Sequence, residues 1–166
     1  MFERDYELKG KHATYTKYLR DTAGLFVRFI DVYMVAAVIG FLHGRRAERD
    51  TGGNDAAKMF ADLFIVERDK LEFIYRLIML LDTTTGLTAD QRVDRAFRDD
   101  TNEEAMKRNM LLFNSYVLGG MEILYEKFST NCTTSDDYIN ALFVYVTGFK
   151  NELDGVSEDD LLVKLL

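Results

Sequence analysis

The chain has 166 residues, of which 48% are hydrophobic and 30% charged, so it can bury one core and is not wholly disordered. Pro and Trp are absent, whereas Phe and Tyr number 12 and 9. Since no Pro interrupts a helix and the chain is rich in Leu, Met and Phe, the composition favours an all-α fold. We expect a single-domain helical bundle of about five to six helices over residues 1–166, with residues 1–14 flexible or loosely packed.

The net charge of -7 is unevenly distributed, because residues 1–50 carry nine Lys and Arg against seven Asp and Glu. An acidic chain repels phosphate, which excludes a generic nucleic-acid binder but permits a local basic patch. The only cysteine, Cys132, cannot form an internal disulfide and fits a reducing cytosol. The N-terminus is charged from its third residue, and the uncharged run 32–42 is too short to span a bilayer. We therefore expect a cytoplasmic protein.

Apolar residues recur every three or four positions over residues 15–42, the spacing of one helix face. From Val32 onward this segment is apolar nearly all round, so we expect it to be the most buried helix. Gly44 suits the left-handed position that ends a helix. The same periodicity predicts a second helix over 55–81, with a break near 66–69 where a glutamate interrupts the apolar stripe.

Two capping-box patterns, at residues 88–91 and 101–104, predict a short helix over 89–99 and a long helix over 102–128. The long helix contains the pair Gly119–Gly120. Each glycine costs a helix about 1 kcal/mol relative to alanine. This cost predicts that another helix, first of all the apolar helix over 15–44, packs closely against the glycine pair. A local kink of the helix and the docking of a partner's backbone are the alternatives.

Ser135 is the expected N-cap of a helix over 136–150, although the Val, Tyr and Phe content of this segment also permits a strand. Ser157 with Asp160 predicts a last short helix. The expected core face of helix 136–150 consists of Ile139, Leu142, Phe143, Val146 and Phe149.

The sequence contains no constellation typical of catalysis. Two histidines and one cysteine are too few for a structural zinc site, and no Glu-x-x-His pair suggests a di-iron bundle. The Gly-Gly pairs match no phosphate-binding loop. We therefore expect no metal, no cofactor and no enzymatic activity. An enzyme would have to assemble its site from carboxylates, for which Asp31, Asp82 and Glu122 are the candidates, and a buried Asp31 would favour it.

Four potential cations follow the most hydrophobic helix within seven positions, namely His43, Arg45, Arg46 and Arg49. These side chains are suited to bind an acidic partner or a phosphate group, because the guanidinium group of arginine forms paired hydrogen bonds with both carboxylates and phosphates. They are equally suited to a structural role at the C-terminus of the helix. There, cations interact favourably with the negative end of the helix dipole and can pair with carboxylates of the same domain. The sequence leaves both interpretations open.

Two segments resemble a known family. Residues 29–48, FIDVYMVAAVIGFLHGRRAE, place an Ala-Ala helix before a Gly-aromatic-x-x-Gly-Arg stretch, and residues 113–128, FNSYVLGGMEILYEKF, contain a Tyr-x-x-Gly-Gly-x-Glu-Ile-Leu block. Both segments are similar to small helical accessory proteins encoded beside bacterial DNA-phosphorothioation (Dnd-type) anti-phage systems. The matching residues are Ala36, Ala37, Gly40, Phe41, Gly44, Arg45 and Arg46 in the first segment, and Tyr116, Gly119, Gly120, Glu122, Ile123, Leu124 and Tyr125 in the second.

The resemblance implies membership of a phage-defence locus and a role in assembling or regulating other components, and it implies no catalytic residues. The leading hypothesis is a non-enzymatic helical adaptor or regulatory subunit of an anti-phage defence complex that acts on nucleic acid. Its partners would be protein components of that complex, and the sequence also permits a homo-oligomer. One alternative is an acidic inhibitor or mimic, with negative surfaces over 90–104 and 152–160. Another is direct DNA or RNA contact through a basic N-terminal face formed by Lys9, Lys11, Lys17, Arg20, Arg45, Arg46 and Arg49.

Overall fold

The computed structural model of the chain describes residues 1–154. It divides into one compact unit over residues 1–126 and a second that begins at Lys127. Helix α6 runs from the first unit into the second. In chain order the elements are β1 (Tyr6–Lys9), α1 (Gly10–Lys17), a π-helical turn (Tyr18–Thr22), α2 (Phe29–Leu42), β2 (Ala56–Met59), α3 (Ala61–Val66), α4 (Arg68–Leu81), α5 (Ala89–Phe97), a 3-10 turn (Asp99–Thr101), α6 (Glu103–Ser129) and α7 (Ser135–Asp154).

The helical fold class is confirmed, since the described residues form seven α-helices and one two-stranded sheet. The sheet itself is a correction to the sequence analysis. Strand β1 pairs with β2 in antiparallel register, with Tyr6 opposite Met59 and Lys9 opposite Ala56. The sequence predicts a helix that includes residues 56–59, because their apolar spacing fits either period, and only pairing with a distant segment selects the strand.

The expectation that residues 1–14 are loosely packed is wrong. Phe2 is 3% exposed, and its ring centroid lies 6.2 Å from that of Phe64 and 5.9 Å from that of Phe113. Leu8 on β1 is buried as well. The N-terminus is therefore held in the core by aromatic packing, which a charged local sequence does not reveal.

The predicted helix over 15–42 is interrupted between residues 23 and 28. Gly24 adopts a φ of +64°, and the amide of Leu25 donates back to the carbonyl of Leu19 at 3.1 Å. A new helix then starts after Arg28, whose amide donates to the carboxylate of Asp31 at 3.1 Å. Asp31, a candidate catalytic carboxylate from the sequence, is thus a capping residue of α2.

The remaining helices of the first unit follow the predictions. The break near 66–69 is confirmed, because α3 ends and α4 begins on either side of Glu67. The capping box of Thr88 and Gln91 opens α5. The long helix α6 is confirmed, but its cap is not Thr101: the carboxamide of Asn102 accepts the amide hydrogen of Ala105 at 3.1 Å.

Helix α7 confirms the helical interpretation of 136–150 and corrects two details. Its first amides are capped by Thr134 rather than Ser135, since the Thr134 hydroxyl accepts from the amide of Asp137 at 3.3 Å. Its expected core face is largely exposed, with Ile139 at 63% and Phe143 at 71%. The last predicted helix, near 157–166, lies outside the described residues.

Candidate functional site

Helix α2 crosses α6 at a point where both helices carry glycine. A Cβ atom at Gly40 would overlap the carbonyl of Tyr116, and one at Gly120 would overlap the carbonyl of Ala36. Neither glycine tolerates a side chain without separating the two helices. The packing that the Gly-Gly pair predicts is therefore present, and α2 is its partner.

A tight turn after α2 carries the chain across α6. Gly44 adopts a φ of +60° and donates to the carbonyl of Phe41 at 3.0 Å, while the amide of Arg45 donates to the carbonyl of Gly40 at 2.8 Å. These two bonds form a Schellman motif, and the φ of Gly44 confirms the left-handed position that the sequence predicts for it. A Cβ at Gly119 would overlap the carbonyl of Arg45, so the second glycine makes room for the chain after the helix.

The side chain of Arg45 is committed to carboxylates of α6. Its Nη1 lies 2.7 Å from Glu126 Oε2, and its Nη2 lies 2.9 Å from Glu122 Oε2. The other oxygen of the Glu122 carboxylate, Oε1, lies 2.7 Å from Lys11 Nζ. Burial opposes the charge of Glu122, but the two cations together hold its pKa below the usual range. Arg45 therefore joins the loop after α2 to α6.

The structure does not bring the four predicted contact residues together. His43 lies exposed at the end of α2, and Arg46 reaches over the ring of Tyr116, with its guanidinium carbon 5.9 Å from the ring centroid. Arg49 donates to the carbonyl of Glu7 at 2.7 Å. Arg45 is paired internally as described above, while Arg46 and Arg49 are exposed and have no carboxylate partner among the described residues.

Most of the basic N-terminal face is also neutralised by neighbouring carboxylates. Arg20 Nε lies 2.6 Å from Asp21, and Lys17 pairs with Asp55. Lys9 Nζ lies 3.3 Å from Glu7, in addition to the contact of Lys11 described above. The seven cations named from the sequence therefore do not form a continuous positive surface.

A buried histidine lies beside the Arg45 cluster. His12, on α1, is 1% exposed, and neither of its ring nitrogens forms a hydrogen bond with a residue that the structure describes. Its Nε2 lies 3.4 Å from Glu122 Oε1. Burial lowers the pKa of His12, although the nearby carboxylate opposes this shift. No pattern in the sequence singles out His12 as buried, because it falls within residues 1–14, which the sequence predicts to be loosely packed.

The most buried ion pair joins the turn after α4 to α5. Asp82, 1% exposed, accepts hydrogen bonds from the Thr84 hydroxyl at 2.7 Å and the Tyr116 hydroxyl at 3.0 Å, and its other oxygen lies 3.2 Å from Arg95 Nη1. Arg95 also donates to the carbonyl of Met79 at 3.0 Å. Burial opposes the charge of Asp82, but these partners hold its pKa below the usual range. With its oxygens fully engaged, Asp82 is a structural carboxylate.

Two apolar grooves flank Phe73, which lies on α4 and is 67% exposed. The larger, between α2 and α4, has a volume of about 540 Å³, and the smaller, between α4 and α5, about 230 Å³. The first is lined by Met34, Val35, Val38, Asp69, Lys70, Phe73 and Ile74, and the second by Phe73, Arg76, Leu77, Leu80 and Phe97. The outer side of α2, which the sequence analysis expected to be buried, forms one wall: Val35 is 40% exposed, whereas Ile39 is 7% exposed.

Within residues 1–154, no group of three or more His, Cys, Asp or Glu side chains is arranged to hold a metal ion. In the same part of the chain, no helix combines the length and the apolar character needed to cross a membrane.

No curated protein and no solved structure matches the chain. The family described as DNA sulphur modification system-associated protein 4 matches it over residues 9–161, which includes both segments that carry the resemblance described above. This match spans α1 to α7 and extends past the described residues. The chain therefore belongs to the DNA sulphur modification system-associated protein 4 family.

Proposed function

We propose that this chain is a non-enzymatic helical adaptor or regulatory subunit that binds a protein component of an anti-phage complex based on DNA sulphur modification. The observation that carries the proposal is the pair of apolar grooves on either side of Phe73. The family supplies the setting, because its members are associated with a DNA sulphur modification system.

The chemistry of the grooves favours a protein partner. Phe73 and Leu77 are one helical turn apart and are 67% and 41% exposed, so they form an apolar ridge between two apolar depressions. Contiguous apolar surfaces of this kind mark interaction sites, and a ridge between grooves suits the apolar side chains of a partner helix. Asp69 also lines the larger groove, where it can pair with a positive charge on that helix, whereas Lys70 is already paired with Glu67 at 2.7 Å.

The internal contacts of the three candidate carboxylates support a non-enzymatic role. Asp31 caps α2, Asp82 is saturated by internal hydrogen bonds, and Glu122 is shared between Lys11 and Arg45. A general acid or base needs a proton-accepting atom that a substrate can reach. Each of these three carboxylates is instead paired with an arginine of the same chain.

The proposal is tested by expressing the tagged chain together with the other proteins of its DNA sulphur modification system. We expect one of them to co-purify in a defined stoichiometry. Phe73→Asp should abolish this association and alter phage restriction, because it places a charge on the apolar ridge. Val27→Asp is the matched control: Val27 is 87% exposed and lines neither groove, so its substitution should change neither property. An association that survives Phe73→Asp would contradict the proposal.

Direct nucleic-acid contact is a second candidate, and the exposed guanidinium groups of Arg46 and Arg49 favour it. The test is fluorescence anisotropy with a labelled DNA duplex at several salt concentrations. Binding through phosphate contacts would weaken steeply with salt, and the Arg46→Ala, Arg49→Ala double variant would reduce that dependence. Binding that is unaffected by the double variant would exclude these residues as the contact.

A further inference from the structure

The second unit carries an apolar helix face that its described residues leave uncovered. On one side of α7, the ring of Tyr145 lies edge-on against Phe128, with centroids 5.8 Å apart. On the other side, Ile139, Phe143 and Val146 are 63%, 71% and 56% exposed. Apolar side chains in this number and arrangement on one helix face are typical of an interaction surface.

These three residues belong to a regular stripe with charged ends. The spacing of four and three residues that joins them continues outward to Asp136 on one side and to Lys150 on the other. Alternating steps of three and four residues are the spacing of a helix face that packs against a second helix. Asp136 and Lys150 are both exposed, and neither forms an ion pair with a described residue. We call these five residues the α7 stripe.

The stripe is complementary to itself when two copies run in opposite directions. Phe143 lies seven residues from Asp136 and seven from Lys150, so it marks the centre of the stripe. An antiparallel pair centred there places each Asp136 beside the partner's Lys150, with the apolar residues in contact between them. A parallel pair would place like charges together instead.

We propose that the α7 stripe is a homodimer interface, formed by two antiparallel α7 helices with Phe143 at the two-fold axis. The contact is isologous, as in most soluble homodimers, because the same residues contribute from both copies. The twelve residues from Tyr138 to Phe149 contain no charge, so no unpaired charge is buried between the helices. One helix pair gives an interface at the small end of the stable range, so the dimer dissociates on dilution.

This inference does not depend on the proposed function. The adaptor surface lies around Phe73 in the first unit, whereas the α7 stripe lies in the second. A failure of one test therefore leaves the other proposal standing.

The test is sedimentation velocity of the full chain from low to high micromolar concentration. The wild-type protein should shift from monomer to dimer over this range. Phe143→Asp should raise the dimer Kd by roughly tenfold or more, because it places a charge at the centre of the interface. Val144→Asp is the matched control, since Val144 is 64% exposed on the same helix but lies off the stripe. It should dimerise like the wild type, and circular dichroism should show that both variants keep their helices.

Exchanging the charges of Asp136 and Lys150 tests whether the partner of the α7 stripe is a second copy of the chain. Asp136→Lys and Lys150→Asp should each weaken the dimer, because each creates a pair of like charges at both ends of the interface. The double variant should restore it. A wild-type chain that stays monomeric at all concentrations, a dimer that persists in Phe143→Asp, or a double variant that fails to recover would overturn the proposal. So would dimerisation that occurs only after deletion of residues 155–166, which would assign the stripe to the chain's own C-terminal residues.

Discussion

Gly40 on α2 and Gly120 on α6 meet with their backbones in contact. A Cβ at Gly120 would lie 2.8 Å from the amide nitrogen of Gly40, and a Cβ at Gly40 would lie 2.9 Å from the amide nitrogen of Gly120. Distances this short do not occur between real Cβ atoms and their neighbours. The crossing therefore requires glycine in both helices.

Gly120→Leu should reduce the free energy of unfolding by about 1–3 kcal/mol, because a leucine overpacks the crossing of α2 and α6. Urea denaturation followed by circular dichroism measures the change. The control is Gly148→Ala on α7, where a Cβ meets no atom of residues 1–154 within 4 Å. That substitution should stabilise its helix by roughly 0.5–1 kcal/mol, since alanine is the better helix former. An unchanged midpoint in Gly120→Leu would show that the helices can separate at no cost.

Arg95→Met should destabilise the protein by about 3–5 kcal/mol, because it leaves the charge of Asp82 buried without its cation. The matched control is Arg98, about one turn later and directly after α5. Arg98 pairs with Asp94 at 2.7 Å, but its side chain is 76% exposed, so Arg98→Met should cost less than about 1 kcal/mol. Thermal unfolding of the two variants side by side distinguishes the pairs, and equal effects would count against a structural role for Asp82.

The stability of the protein should fall as the pH is lowered below about 6.5, the ordinary pKa of histidine. Burial lowers the pKa of His12 in the folded state, so the unfolded chain binds the proton first and protonation favours unfolding. The contribution of Glu122, whose folded pKa is also lowered, is lost only below about 4.3, the ordinary pKa of glutamate. Urea denaturation between pH 7.5 and about 5 therefore isolates the histidine effect.

His12→Gln should flatten this pH dependence, because the buried titrating group is gone. His43→Gln, at an exposed position, is the control and should leave the pH dependence as in the wild type. If the wild type and His12→Gln lose stability in parallel, the effect belongs to other groups.

Asn102→Ala should destabilise α6 by about 0.5–2 kcal/mol, because the carboxamide that accepts the amide hydrogen of Ala105 is removed. Thr101→Ala, at the neighbouring position that the capping pattern favours, should have the smaller effect. Thermal unfolding of the two variants measures the difference. A larger loss of stability in Thr101→Ala would show that Thr101, the residue that the sequence predicts, is the N-cap of α6.

The sequence alone identifies the long helices, because their signals are local. The periodicity over 102–128 and the capping box of Thr88 and Gln91 each involve residues within a few positions of one another. The turn at Gly44 and the break at Glu67 are found for the same reason. The family resemblance likewise rests on short segments, and the match over residues 9–161 bears it out.

Only the tertiary structure decides which distant groups meet, because those contacts depend on the packing of the whole unit. The pairing of β1 with β2 converts an apparent helix start into a strand, and aromatic packing holds Phe2 in the core. Arg45 is a candidate contact in the sequence, but folding brings Glu122 and Glu126 within reach of its guanidinium. The periodicity of α7 is likewise the same whether its apolar face is buried or exposed. Burial depends on which other segments cover a face, and a repeat of three or four residues carries no information about them.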